Sequence, residues 1–321
     1  MIDGKGRTID YMRISITDRC NLRCRYCMPK DIQRMAPEEI LTYEEIEEVC
    51  RQAAALGISK LKVTGGEPLI RKGCVGLMGK LKQIPGICQV TLTTNGILLE
   101  QSIEELCSAG VDGINISLDT LDRETFRRIT GADKLGQVLD GIKASVCHGV
   151  NTKINVVLQE GVNAGEWDGL LAMAQEWPVD VRFIEMMPIG GGEECQGISN
   201  QYLLKMIMNK YGRLARDAEG HGNGPAVYYR LPGFLGSIGF ISAVHEKFCT
   251  ACNRIRMTAD GEIKPCLCYG GGGSVKRALR EGDKMEVRRI LGQAIKGKPE
   301  GHCFERKQDM TEARKMVQIG G

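Results

Sequence analysis

Apolar and polar positions along this chain follow two periods that take turns. Short runs rich in β-branched residues recur at Tyr11–Thr17, Lys60–Thr64, Gln89–Thr94, Gly113–Leu118, Thr152–Leu158 and Asp180–Glu185, and each reads as a strand. Between them lie helical patterns. The clearest spans Tyr43 to Leu56, with Ile46, Val49, Cys50, Ala53 and Ala54 on one stripe. Thr42 and Glu45 form a capping box ahead of it, and Gly57 supplies the stop. Glu100–Ala109 ends at Gly110 and Lys134–His148 at Gly149 by the same logic, while Asp122 caps a short helix through Ile129. Strand–helix alternation of this kind requires parallel strands, because each crossover needs a helix. The sheet then either stays open and doubly wound or closes toward a barrel, and periodicity does not choose between them.

In both architectures chemistry gathers at the carboxyl ends of the strands. A cysteine-rich loop follows the first strand, Gly65–Gly66–Glu67–Pro68 the second, Thr94–Asn95–Gly96 the third, Ser117–Leu118–Asp119 the fourth and Glu185–Met186–Met187 the sixth. After residue 190 the texture changes. Gly190–Gly192 is a break, Asn200–Tyr211 reads as one more helix, and glycine and proline punctuate His221–Gly239. Arg254–Ile263 reads as a hairpin turned at Ala259–Asp260–Gly261. We expect two domains, residues 1–232 and 233–321.

Composition narrows the function classes. The 321 residues are 42% hydrophobic and 26% charged, as in a soluble globular protein, and a net charge of +3 argues neither for nucleic acid nor for a membrane surface. The first residues read as no signal peptide, and no run approaches a membrane span, so a cytoplasmic location is expected. In that reducing setting, fourteen cysteines point to metal or redox ligands rather than disulfides. Those at 50, 74, 88, 107, 147 and 195 stand singly and read as small core residues.

The first cluster is Cys20-x3-Cys24-x2-Cys27. Three thiolates so close on one loop suit a four-iron cluster and leave one iron open for a further ligand. A zinc loop is the competing reading, although zinc pairs are usually C-x2-C joined to a second pair. The second set is Cys249-x2-Cys252-x13-Cys266, with Cys268 nearby. Spacing permits either a structural zinc with Cys268 as fourth ligand, or another open cluster with Cys268 idle. Between these cysteines, Arg254 and Arg256 of Arg254–Ile255–Arg256 share one side of a strand, where their forks can grip phosphate or carboxylate oxygens. Arg13, Lys62 and Lys153 sit mid-strand. If the strands are buried on both faces, such charges must be paired or face a cavity. The four histidines, at 148, 221, 245 and 302, sit in no metal-ligand spacing.

Cys20-x3-Cys24-x2-Cys27, with Tyr26 before the last cysteine, resembles the signature of the radical S-adenosylmethionine (SAM) superfamily. Asp18–Arg19–Cys20–Asn21, Cys24–Arg25–Tyr26–Cys27–Met28–Pro29, Thr64–Gly65–Gly66–Glu67–Pro68, Cys252–Asn253–Arg254–Ile255–Arg256 and the final Gly320–Gly321 are similar to its GTP 3′,8-cyclase family, which begins molybdenum cofactor biosynthesis. The resemblance implies a partial (β/α)6 TIM-like barrel with a C-terminal second iron–sulfur cluster domain, two [4Fe-4S] clusters and SAM. It implies a lyase in which a 5′-deoxyadenosyl radical takes the 3′ hydrogen of GTP and the product is (8S)-3′,8-cyclo-7,8-dihydroguanosine 5′-triphosphate. Carried over residue by residue, Cys20, Cys24 and Cys27 hold the first cluster, and Cys249, Cys252 and Cys266 the second. SAM contacts fall on Tyr26, Gly66, Ser117 and Met187. GTP contacts fall on Arg13, Lys62, Thr93, Lys153, Arg254, Ile255 and Arg256, with Gly320 and Gly321 completing the catalytic set. Partners implied are an electron donor and the next pathway enzyme, cyclic pyranopterin monophosphate synthase, and neither nucleic acid nor membrane; a homodimer is allowed, but the sequence does not say whether the protein dimerises. Lys62 departs from the family, which usually has arginine there, and residues 193–239 and 270–273 match it poorly. A radical SAM peptide- or sulfatase-modifying enzyme with an auxiliary cluster is the alternative, and an iron–sulfur carrier or zinc-stabilised module the non-enzymatic one.

Overall fold

The structure is a computed structural model that describes residues 1–28 and 32–320; Pro29 and Gly321 of the motifs above lie outside the described residues. Eleven strands form one sheet: β1 (Tyr11–Ser15), β2 (Lys60–Thr64), β3 (Gln89–Thr94), β4 (Gly113–Ser117), β5 (Thr152–Val156), β6 (Asp180–Ile184), β7 (Ala215–Arg216), β8 (Val227–Arg230), β9 (Ile238–Ile241), β10 (Arg254–Met257) and β11 (Ile263–Lys264). β1 to β6 are parallel neighbours in chain order. β10 joins β1 in parallel on one side and β9 joins β6 in parallel on the other. β11 and the β8–β7 pair then finish the two edges in antiparallel fashion.

Helices α1 (Tyr43–Ala55), α2 (Cys74–Lys82), α3 (Leu99–Ser108), α4 (Arg123–Thr130), α5 (Leu135–Cys147) and α6 (Trp167–Glu176) connect the parallel strands, and α7 (Asn200–Tyr211) follows β6. α8 (Lys276–Arg280), α9 (Lys284–Lys296) and α10 (Met316–Ile319) complete the chain. Their local causes are those of the sequence. Thr42 and Glu45 make the capping box of α1, and Asp122 accepts from the Thr125 N–H at the start of α4. Gly57, Gly110 and Gly149 close their helices in the left-handed region. Among the described residues no helix is long and apolar enough to cross a membrane.

The two faces of the sheet differ sharply. Met12, Ile14, Leu61, Val63, Val90, Leu92, Ile114, Ile116, Ile154, Val156, Val181 and Phe183 all point outward into one apolar core with the helices. The alternate residues face inward and are mostly polar: Arg13 and Ser15, Lys62 and Thr64, Thr91 and Thr93, Asn115 and Ser117, Lys153 and Asn155, Arg182. Burial of both faces in apolar contacts, the premise under which mid-strand charges needed individual excuses, does not hold. The inner face encloses a charged cavity instead, and only the outer face supplies the hydrophobic driving force.

Candidate functional site

The first cysteine loop is fastened on two sides. Arg23 N–H donates to the Thr130 carbonyl at 2.8 Å and Arg25 N–H to that of Ile129 at 3.1 Å, which ties the loop to the end of α4. Gly66 N–H reaches the Thr17 carbonyl at 2.7 Å and Glu67 N–H the Arg19 carbonyl at 2.8 Å, which ties it to the end of β2. A Cβ on Gly66 would lie 2.2 Å from the Arg19 carbonyl oxygen, so only glycine allows this approach. Cys20 Sγ already accepts from Leu22 N–H at 3.4 Å and from the Asn95 amide at 3.8 Å. Burial pushes the thiols of Cys24 and Cys27 up, that of Cys27 to about 12, with the neighbouring thiols and Asp119 adding to it. Thiols of this kind give up their protons to a metal rather than to water.

The second triad hangs on the β10–β11 hairpin, Cys252 two residues before β10 and Cys266 two residues after β11. The buried Arg7 guanidinium, paired with Asp3 at 2.6 Å, donates to the carbonyl of Cys249 at 2.8 Å and to those of Lys298, Pro299 and Glu300. Lys298 Nζ donates to the Arg254 carbonyl at 2.9 Å and the Pro265 carbonyl at 2.6 Å. Burial raises the Cys252 thiol, but the charges of Lys298 and Arg254 outweigh it and leave the group below the ordinary thiol range. Cys268 is set apart: its sulfur lies 3.1 Å from that of Cys303, both are buried, and neither lines the cavity described next. The fourth-ligand role that spacing permitted for Cys268 is therefore not supported by the geometry, and Cys303 had no sequence signal because it stands alone.

Cys20, Cys24, Cys27, Cys249, Cys252 and Cys266 all line one cavity of about 300 Å³ at the carboxyl ends of the strands. Tyr26, Gly66, Ser117 and Met187 line it too, as does Arg256, whose Nη1 donates to the Gly320 carbonyl at 2.7 Å. The tail thus ends against Ser15 and Thr64 on the inner face of the sheet. A second cavity of about 350 Å³ adjoins it toward the amino ends of the strands, lined by Arg13, Lys62, Thr93, Lys153, Arg182 and Arg254 among others. Arg13, Thr93, Asn155, Ile184, Ile241 and Arg254 line both. The thiol-lined and cation-lined spaces are continuous.

One residue of the expected set is not brought here. Ile255 pairs with Met12 and lies fully buried in the apolar core behind the sheet, so its side chain is not a ligand contact. Alternation along the strand that aims Arg254 and Arg256 inward aims Ile255 outward. Arg182 is the converse, a cavity cation that sequence reading missed; its Nη2 donates to Asn155 Oδ1 at 2.6 Å. The inner cations crowd one another. Arg13 stands between Arg256 and Lys62 in register. Burial, then the charges of Arg182, Arg13, Lys153 and Arg254, holds the Lys62 ammonium well below the usual lysine range. Arg256 is lowered by burial and by Arg13 and Arg254. Such an arrangement is costly until an anion enters.

Two buried carboxyls stand behind the first loop. Burial pushes Glu67 up to about 7 against the N–H groups of Asn95 and Leu69 and the Thr94 hydroxyl. It pushes Asp119 up to about 6 against the Val157 N–H and the Tyr26 hydroxyl, which donates to Oδ2 at 2.7 Å. Both bind their proton more tightly folded than unfolded, so the stability they contribute is full below about pH 4 and is lost as pH rises through about 6 and 7. A Glu67→Gln/Asp119→Asn double variant is expected to flatten the fall in melting temperature between about pH 4.5 and 7.5. An unchanged slope would clear these two groups of responsibility. By contrast, Glu185 serves as a brace, accepting from the N–H groups of Asn200, Val244 and His245.

With two three-thiol sets facing one cavity, and N–H groups already aimed at the Cys20 sulfur, the residues fit iron–sulfur clusters with three cysteine ligands apiece. The model of the Radical SAM superfamily matches residues 14–174, and that of Molybdenum Cofactor Synthesis C matches residues 179–304. The chain belongs to the radical SAM superfamily. Within that superfamily it is 43% identical over 323 residues to the GTP 3′,8-cyclase of Clostridium perfringens (strain 13), covering all of both chains. It is 42% identical to that of Peptoclostridium acidaminophilum, covering all of this chain and 98% of the relative. Among solved structures, Streptococcus suis SuiB bound to S-adenosylmethionine superposes with a TM-score of 0.64 at 16% identity, covering 97% of this chain and 77% of SuiB, which is a likeness of fold. Radical SAM chemistry draws on SAM and iron–sulfur clusters.

Proposed function

We propose that this chain is a GTP 3′,8-cyclase that converts GTP to (8S)-3′,8-cyclo-7,8-dihydroguanosine 5′-triphosphate in the first step of molybdenum cofactor biosynthesis. The observation that carries this reading is the continuity of a cavity with two thiol triads and a cavity lined by five or more cations. When bound, the first cluster supplies the electron that splits SAM into methionine and a radical able to take a ribose hydrogen. The protein's own part is binding, orientation and exclusion of water.

Cys20, Cys24 and Cys27 hold the first cluster, and Tyr26, Gly66, Ser117 and Met187 frame SAM beside it. The Tyr26 hydroxyl is fixed by its donation to Asp119. Cys249, Cys252 and Cys266 would hold the second cluster, which would supply a Lewis-acidic iron for the base of the substrate. Arg13, Lys62, Thr93, Lys153, Arg182, Arg254 and Arg256 grip the triphosphate and ribose, with their mutual repulsion relieved as the anion binds. In this reading residues 1–232 make the radical and 233–321 present the substrate to it, in the cytoplasm, with an electron donor and cyclic pyranopterin monophosphate synthase as partners. The sulfatase- or peptide-modifying alternative does not account for the cation-lined cavity.

The test is anaerobic: GTP, SAM and a reductant, with 5′-deoxyadenosine and the cyclised nucleotide measured. Release no greater with GTP than without it sinks the substrate assignment. Gly320 gives a finer check, because at φ 75° a side chain is strained and its Cβ would lie 3.0 Å from Ser15 Cβ. Gly320→Val is expected to leave iron content and SAM binding intact while turnover falls roughly a hundredfold.

A further inference from the structure

Residues 217–226 link β7 to β8 without regular structure. They cross the inner face of the sheet at the amino end of its strands. His221 Nδ1 faces Asp180 Oδ2 at 3.0 Å and Nε2 faces Asp217 Oδ2 at 2.8 Å, while the ring stacks on Tyr228 with centroids 4.1 Å apart. Farther along, the Asn223 amide donates to the Gln89 carboxamide oxygen. Asp180 opens β6 and Gln89 opens β3, so the loop is pinned at two points across the sheet.

The loop walls the 350 Å³ cavity that also holds Lys62, Lys153 and Arg182. Its acidic neighbours are already engaged. Asp180 takes Lys153 at 2.6 Å and the Ser237 N–H at 3.3 Å, and Asp217 takes Arg230 at 2.7 Å and the Ser237 hydroxyl at 2.8 Å. Glu219 takes Arg230 at 2.7 Å, so what is left for a ligand is the cations, the backbone and the neutral Thr91, Asn115 and Asn151. Among the described residues, the N–H groups of Gly220, His221, Gly222, Asn223 and Gly224 donate to no protein acceptor. Three of those five are glycine, and Gly222 sits at φ 140°. Successive free N–H groups on a glycine-rich segment beside cations make an anion-binding concavity.

We infer that loop 217–226 is the end wall of the phosphate subsite, and that its backbone N–H groups receive the terminal phosphate of the bound nucleoside triphosphate. His221 and Asn223 are positioning residues that hold the loop across the sheet. The inference rests on the reading of GTP as substrate. The base end of the cavity is at the cysteines and Arg13 and Arg254 stand at the junction, so the phosphate chain runs down past Lys62 and Lys153 and only its last member meets the loop. A diphosphate stops short of it. The loop therefore sets the preference for chain length.

The test is equilibrium dialysis of anaerobic holoenzyme with GTP, GDP and GMP, for wild type, His221→Ala, Gly222→Val and Asn223→Ala. Affinity for GTP is expected to fall about tenfold in each variant, the size of one charge-assisted contact, while GMP binding is unchanged. Equal weakening for all three nucleotides, or an unchanged GTP to GMP ratio, overturns the proposal. Asn223→Ala removes only the tether to Gln89 and keeps the test available if His221→Ala fails to fold. A wild-type enzyme that binds no guanine nucleotide overturns the substrate reading alone. The loop is then judged with tripolyphosphate against pyrophosphate: tighter tripolyphosphate binding that is lost in His221→Ala supports it, and equal binding overturns it.

Discussion

Gly66→Ala should cost the protein its first cluster while sparing the second. The added methyl would sit 2.2 Å from the Arg19 carbonyl oxygen and 2.6 Å from its carbon, both backbone atoms that cannot rotate away. Relief requires the loop carrying Cys20 to move by more than an ångström, which breaks the hydrogen bonds from Gly66 to Thr17 and from Glu67 to Arg19. The three thiols then no longer converge. Overpacking of this kind costs about 1–3 kcal/mol in stability, and the chemical loss is larger because ligand geometry tolerates far less. Purified variant is expected to hold about four irons per chain where wild type holds about eight, and to release no 5′-deoxyadenosine above background. Full iron content would show that the loop has another way to accommodate the methyl. The clash falls on Arg19 and Asp18 and touches no residue of the β10–β11 hairpin, so spectroscopic features of the second cluster should persist.

Lys62→Met is expected to make the protein more stable and less able to bind GTP. Lys62 lies in register with Arg13 and lines the cavity with Lys153, Arg182 and Arg254, and burial with this company holds its ammonium well below the usual lysine range. Methionine has similar length and no charge, so it removes a desolvation penalty and several repulsions together. A gain of about 1–2 kcal/mol in unfolding free energy is the expected scale. The same change removes an attraction for phosphate, so affinity for GTP should fall at least about tenfold. Thermal melts without nucleotide, beside nucleotide titrations, check both halves. A variant that loses stability would mean the ammonium is paired rather than repelled. Lys62→Arg carries the opposite expectation in the melt, since a guanidinium cannot shed its proton to escape the crowd.

Much of this molecule is legible in local pattern. All six parallel strands begin where the β-branched runs begin, and four of them end one or two residues early because their last residues leave the ladder for the site. Thr17, read as strand, instead offers its carbonyl to Gly66. The cysteine triads, the capping box of α1 and the Gly261 turn follow from spacing and residue type alone. Long-range pairing was not legible. Nothing near Arg254 announces that its strand will lie beside Tyr11, since a ladder across such sequence separation leaves no periodic trace. That pairing is what carries Arg254 and Arg256 into the barrel mouth and turns Ile255 away from it. Arg182 escaped notice because a charged residue two places after Asp180 looks like an ordinary exposed strand face, and only closure of the sheet puts it inside.

The same pairing governs when the enzyme comes into being. β1 leaves the ribosome early, but its partner β10 follows only about 240 residues later, and the segment that meets Arg256 later still. Until then β1 has a bare edge and the thiols of the first loop stand without a wall. Contacts this distant in sequence form slowly. The nascent chain can therefore build its apolar layer early, while the compartment for a radical is sealed only at the end of synthesis. A half-made molecule has the first triad of thiols and no chamber in which to use it.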